Sequence, residues 1–173
     1  MLGAVGQIRV ARSDELERLR AIEVAAGIAF ADVGLPAVAA HDPLSVADLE
    51  ERRAEGRLWV IVDGDEVAGY VLIDLVDGAP HVEQVSVHPD HARRGLGRQL
   101  LDHVAAWASA RGHRTVTLTT FVDVPWNAPY YARCGYGVLR HDELGPELRA
   151  LMATEAAHGL DPARRVAMAH NLP

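Results

Sequence analysis

The sequence predicts a mixed α/β domain of the α+β type, with interleaved strands and helices, and three observations carry that prediction. The stretch His81 to Ala108 reads as a strand, a short basic glycine loop and a helix. Its valines at 82, 85 and 87 suit a strand that Pro89 cannot continue, and apolar residues at 96, 100, 101, 104, 107 and 108 repeat on one helical face. Upstream, Leu58 to Val62 and Val67 to Val76 flank Asp63-Gly64-Asp65-Glu66, a hairpin with an Asp-Gly turn signal. Finally, 173 residues with 49% hydrophobic and 24% charged side chains suffice for one core, so residues 1–173 are expected to form a single domain.

The remaining elements follow in order. Gln7 to Ala11 is a short strand. Ser13 reads as an N-cap, with Glu15 and Glu17 in a first turn where the helix dipole favours acids. Leu16, Leu19, Ile22, Glu23 and Ala26 trace that helix to about Gly27, and Phe30 to Pro43 is a loop broken by glycine and proline. Ser45 starts a second helix that runs to about Glu55 and closes at Gly56. Asp77-Gly78 turns the chain into the central strand, and Gly112 closes the central helix. Thr115 to Phe121 alternates as a half-buried strand. A short helix starts at the second proline of Val124 to Tyr131 and ends at Cys134, Gly137 to Arg140 is a sixth strand, Pro146 to His158 is helical, and Arg165 to Ala169 is the last strand.

Between the central strand and its helix lies ARRGLGR, Ala92 to Arg98. Glycine lets backbone approach a ligand closely, and the first N–H groups of a helix lack intrahelical partners, so such a turn suits an anion. The loop ends Gly-Arg-Gln rather than Gly-Lys-Ser/Thr, against a Walker loop, and Leu100 stands where a dinucleotide fingerprint needs its third glycine. A basic helix start that holds no ligand is the alternative reading.

The segment resembles motif A of the GCN5-related N-acetyltransferases (GNAT), Q/R-x-x-G-x-G/A after a V-x-P strand end. Here V-x-P is Val87-His88-Pro89 and G-x-G is Gly95-Leu96-Gly97, while Ala92 replaces the usual Gln or Arg. The element order matches that family along almost the whole chain. The resemblance implies a mixed, mostly antiparallel central sheet flanked by helices, split between the fourth and fifth strands. It also implies acetyl-CoA as cosubstrate, its pyrophosphate on Arg93, Arg94, Gly95, Leu96, Gly97 and Arg98, its pantetheine arm along Val85, Ser86 and Val87, and the backbone N–H near Val87 donating to the thioester carbonyl.

Acetyl transfer to an amine needs a proton acceptor, because alkylamines titrate near pH ~10. It also needs donors at the carbonyl oxygen and a proton donor for the leaving thiolate. His81 and Glu83 share one face of the central strand. The family often places a carboxylate base on this strand, so Glu83 is the first choice and His81 its competitor; a Glu83 paired with an arginine is the plainer reading. PYYARCGY resembles the family's l-Y-x-x-x-G-F, which makes Tyr131 the general acid on the CoA sulfur, against the plainer reading of a packed core tyrosine. Tyr130 is expected to be packing. The family's asparagine seven residues before this tyrosine is Val124 here; Asn127 either contacts the cofactor instead or caps its helix.

Trp59, Trp126, Phe30 and Tyr70 are candidates for an acceptor pocket or for the core, and Asp32, His41 and Asp42 lie in the long loop that borders the acceptor site in the family. The nine histidines include no pair at zinc-helix spacing with a third ligand, so no metal is expected. A net charge of −7 argues against nucleic acid and tilts toward cationic small molecules. A single cysteine, Cys134, an N-terminus without an export pattern and the lack of a run of ~18 apolar residues point to a cytoplasmic protein with no membrane partner. The expected function is therefore acetyl transfer from acetyl-CoA to a primary amine of a small molecule by direct attack. Acetylation of a protein N-terminus or lysine, or CoA binding without turnover, are the alternatives, and the family's habit admits a homodimer.

Overall fold

The computed structural model describes residues 6–173. Seven strands hydrogen-bond in the order β1-β2-β3-β4-β5-β7-β6, where β1 is Gln7–Val10, β2 Leu58–Asp63, β3 Glu66–Val76, β4 Ala79–Val87, β5 Thr115–Phe121, β6 Gly137–Val138 and β7 Arg165–Asn171. Helices α1 (Leu16–Gly27), α2 (Pro36–Ala39) and α3 (Val46–Ala54) precede the β2–β3–β4 run; α4 (Leu96–Ala110), α5 (Ala128–Arg133) and α6 (Pro146–Ala157) follow it. The pairs β1–β2, β2–β3, β5–β7 and β6–β7 are antiparallel, and β4–β5 is parallel. That parallel ladder is one residue pair, His81 with Thr117, whereas β5 and β7 pair along seven. The expected mixed, mostly antiparallel sheet is present, with β4–β5 as its parallel pair.

The chain divides into two compact units. The first comprises the described residues up to Ile73 together with Gln84–His103. Its core joins Leu16, Leu19 and Ile22 of α1 and Leu49 of α3 to Leu58, Val60, Tyr70 and Leu72 of the sheet. Ser45 caps α3, its hydroxyl accepting from the Asp48 N–H at 3.1 Å. Tyr70, wholly buried, meets its polar requirement by donating to Glu23 of α1 at 2.6 Å. Burial raises the Glu23 carboxyl above the usual range despite that bond. The second unit comprises Asp74–Glu83 and Val104–Pro173. There α6 packs Leu148, Leu151 and Met152 with Val76 and Ala167. The Asp77 carboxylate accepts from the N–H groups of Glu147 and Leu148 at 2.9 and 3.0 Å and so caps α6 from the strand turn, a bond the sequence pattern does not reveal.

Both expected turns form. Asp77 and Gly78 take φ of 52° and 74°, as a type I′ turn requires. Asp63 and Glu66 pair across Gly64-Asp65, with Gly64 at φ 64°. Four details differ from the sequence reading. Ser13 does not cap α1; it opens a 3₁₀ turn, and Glu15 folds back to accept from the Arg12 N–H at 2.8 Å and from the Arg9 guanidinium at 2.6 Å. The loop from Phe30 to Pro43 holds the end of a 3₁₀ turn, Ile28–Val33, and the helical turn α2, because Pro36 at the first helical position starts a helix as readily as it ends one. The sixth strand stops at Val138, although the Leu139 N–H still donates to the Ala167 carbonyl of β7 at 2.9 Å, and β7 extends to Asn171, following the full length of β5.

Candidate active site

In the first unit β4 ends at Val87, and a 3₁₀ turn over Pro89–His91 leads into the glycine loop. The His88 N–H donates to the Ala68 carbonyl at 2.8 Å and fixes where the loop leaves the sheet. Arg93 and Gly95 have left-handed φ of 61° and 76°, whereas Arg94 and Leu96 do not. Alternation of this kind turns successive backbone N–H groups toward one side, a concavity that suits an anion. Leu96 then buries into the core as the first residue of α4, leaving Gly97 half-buried and Arg98 exposed in its first turn. Arg93, Arg94 and Gly95 are exposed. The loop therefore has the donors, charge and accessibility that a pyrophosphate needs.

Val85 and Val87 are half-buried on β4, and Ser86 is buried, its hydroxyl accepting from the Gln84 side chain at 2.8 Å. A residue missed in the sequence controls this stretch. A Cβ at Gly69 on β3 would lie 2.7 Å from the Ser86 carbonyl oxygen and 3.2 Å from the Val87 Cα, so only glycine lets the two strands close there. The signal was a glycine inside a strand pattern, which marks a bulge or a close approach. The β2–β3 register also slips beside it, between Ile61 and Val62.

In the second unit His81 is buried, and its Nδ1 pairs with the Thr117 hydroxyl at 2.9 Å. Burial pushes the imidazole down to about 4, with Arg165 lowering it further and Glu155 and Asp74 opposing. His81 is thus neutral at neutral pH and a weak base. Glu83, two residues on, is exposed. The depressed histidine has a consequence for stability. An unfolded histidine titrates near 6.5, so between that pH and about 4 the unfolded chain binds the extra proton. Stability should fall by about 3 kcal/mol as pH drops through this window, at ~1.4 kcal/mol per unit. In urea unfolding, His81→Gln should show a shallower acid slope than the parent; equal slopes would contradict the assignment.

Tyr131 lies on α5, edge-on to Tyr130 and Tyr136 with ring centroids 5.7 and 6.0 Å away. The side chain keeps some exposure, yet burial is the largest cause that pushes its hydroxyl up to about 12, with Cys134 adding to the rise and Arg165 opposing it. It stays protonated throughout the neutral range. Asn127 precedes α5 but does not cap it with its side chain. Its Oδ1 instead turns to the Phe121 N–H, at the 3.5 Å limit of a hydrogen bond, and its backbone carbonyl accepts from Tyr131 N–H at 2.9 Å. The capping role expected of Asn127 is therefore wrong. The residue is buried and ties the end of β5 to the start of α5.

Of the other singled-out groups, Tyr70 and Trp59 are core, Phe30 is half-buried and Trp126 is exposed. Asp32, His41 and Asp42 are exposed, and Cys134 is buried. Among the described residues no three His, Cys, Asp or Glu side chains are placed to hold a metal, and no helix is long and apolar enough to cross a membrane.

A strand, a basic glycine turn and a helix follow one another in a mixed sheet with one parallel pair. The profile of the Acetyltransferase (GNAT) family matches residues 16–136, and the chain belongs to that family. It is similar to a mycothiol acetyltransferase of Thermobifida fusca, 35% identical over 105 residues that make up 53% of this chain and 31% of that protein. A mycothiol acetyltransferase of Cellulomonas flavigena is 29% identical over 109 residues, 62% of this chain and 31% of that protein. The chain thus spans about a third of the length of these relatives. N-acetylglutamate synthase from Neisseria gonorrhoeae, solved with coenzyme A and N-acetyl-glutamate, shares the fold with a TM-score of 0.72 at 18% identity, covering 97% of this chain and 35% of that one.

Proposed function

We propose that the protein transfers an acetyl group from acetyl-CoA to a primary amine of a small molecule, by direct attack. The observation that carries this reading is the loop from Arg93 to Arg98, whose alternating backbone and helix start suit a pyrophosphate, in a chain of the acetyltransferase family. Val85, Ser86 and Val87 would carry the pantetheine arm, with a backbone N–H near Val87 on the thioester carbonyl. Asn127, held against the end of β5, would complete the cofactor contacts. The mycothiol acetyltransferase relatives and a net charge of −7 support a small, cationic acceptor. The buried lone cysteine suits a reducing cytosol.

Glu83 is assigned the base. A carboxylate attracts the ammonium form and stabilises the positive charge that develops on nitrogen, whereas a protonated imidazole would oppose it. His81, held neutral and at about 4, is poorly matched to an amine proton near neutrality. Tyr131 is assigned to the sulfur. Full proton transfer from a hydroxyl at about 12 to a thiolate of ordinary pKa ~8.5 is uphill by about 5 kcal/mol. Tyr131 therefore acts chiefly by donating a hydrogen bond as charge builds on sulfur, and the proton released by the amine can supply the thiol.

Free-thiol release from acetyl-CoA, measured across a panel of primary amines, tests this reading. At least one small amine should stimulate release in the parent protein. With that amine, Glu83→Gln should lower kcat/KM well beyond His81→Gln and flatten the acidic limb of the pH profile. Stimulation by N-terminal peptides alone would overturn the small-molecule assignment, and an acidic limb removed only by His81→Gln would reverse the choice of base.

A further inference from the structure

The last residue of β2, Asp63, is 27 residues before Asp90 in sequence yet bonds to the turn that follows it. Its side chain is 11% exposed, and its Oδ2 pairs with the His91 Nδ1 at 2.8 Å and accepts from the Arg94 guanidinium. The far nitrogen of the same imidazole, Nε2, lies 3.3 Å from the Glu66 carboxylate, across the two-residue turn Gly64-Asp65. One hairpin thus grips the loop at positions 91 and 94, on either side of Arg93. Arg93 is one of two non-glycine residues with positive φ among those described, at 61°. A left-handed L-residue costs about 1–2 kcal/mol, and such a conformation persists only where its surroundings enforce it.

We propose that Asp63 is a positioning residue for the coenzyme: it holds the Arg93–Arg98 loop in its anion-binding form by tying down His91 and Arg94. The proposal rests on the reading of that loop as the pyrophosphate site. It also reassigns Arg94. With its guanidinium on Asp63, Arg94 serves the shape of the loop, and the positive charge offered to phosphate comes from Arg93 with the backbone amides, and from Arg98, which is shared with Asp102 at 3.8 Å. Losing the tie lets the loop leave its competent form, and apparent affinity falls by the fraction that remains competent. Once coenzyme is bound, the reacting groups are unchanged.

Calorimetric titration with CoA, alongside steady-state kinetics, tests this on Asp63→Ala, Asp63→Asn, Arg94→Ala and the Asp63→Ala/Arg94→Ala double variant. The expected result for each single alanine variant is a rise of about tenfold in the Kd for CoA and the KM for acetyl-CoA, with kcat within about twofold of the parent. The double variant should be no weaker than the worse single one, because both remove the same tie. Asp63→Asn keeps the shape and should lie between parent and alanine. A parental Kd in folded Asp63→Ala, with only the melting temperature lowered, would reduce Asp63 to a stabilising role and overturn the proposal. Fully additive losses would overturn it too, by placing Arg94 on the ligand. Gly97→Glu separates the positioning role from the pyrophosphate site itself. If it abolishes CoA binding while Asp63→Ala leaves it intact, only the positioning role falls; if Gly97→Glu binds CoA like the parent, the loop assignment falls and the positioning role with it.

Discussion

Tyr131→Phe should lower kcat by about 10²- to 10³-fold, as expected for loss of one hydrogen-bond donor to developing charge, and leave the Kd for acetyl-CoA nearly unchanged. The substitution keeps the ring that packs edge-on to Tyr130 and Tyr136 and removes only the hydroxyl. Stability should therefore change little. The raised pKa sharpens the expectation. A hydroxyl at about 12 does not titrate in the working range, so the variant's pH profile should drop in height while its basic limb stays where it is in the parent. A tyrosine of ordinary pKa ~10 would instead shift that limb on removal. Single-turnover measurement of thiol release separates chemistry from product release. An unchanged single-turnover rate would return Tyr131 to the packing role that most buried tyrosines have.

What could be seen in the sequence was mostly local. The glycine loop, the Asp-Gly turns and the face of α4 depend on residues a few positions apart, and they stand as read, with Leu96, Leu100, Leu101, Val104 and Ala108 all buried. The family motif carried the site assignment because it encodes a strand end, a turn and a helix start together. The failures come from interactions whose partner the pattern does not name. Ser13 has the composition of a cap, but Glu15 is drawn to Arg9 and Arg12, and the stronger charge-assisted bonds decide the geometry. Asn127 sits at a cap position, yet its amide answers the Phe121 N–H. Nothing in the local pattern around Arg94 names Asp63, 31 residues earlier, as the partner of its guanidinium. Gly69 matters only because β4 lies against it, a relation that register creates and composition does not.

If the loop before α4 holds the coenzyme's pyrophosphate, Gly97→Glu should disrupt binding at one atom group. Gly97 is the second residue of α4, and a carboxylate in a first helical turn interacts favourably with the helix dipole. The free variant should consequently be as stable as the parent, so a loss of binding cannot be ascribed to unfolding. The same carboxylate would set bulk and negative charge against the bound phosphates. Like charges about 4 Å apart repel by ~4 kcal/mol near a protein surface, enough for a loss of two to three orders of magnitude in affinity. Titration calorimetry of acetyl-CoA into parent and variant is the direct measurement, supported by the rise in melting temperature that coenzyme should give the parent alone. The expected result is saturable binding to the parent and an affinity at least about 100-fold weaker in Gly97→Glu. Equal affinities in two folded proteins would contradict it.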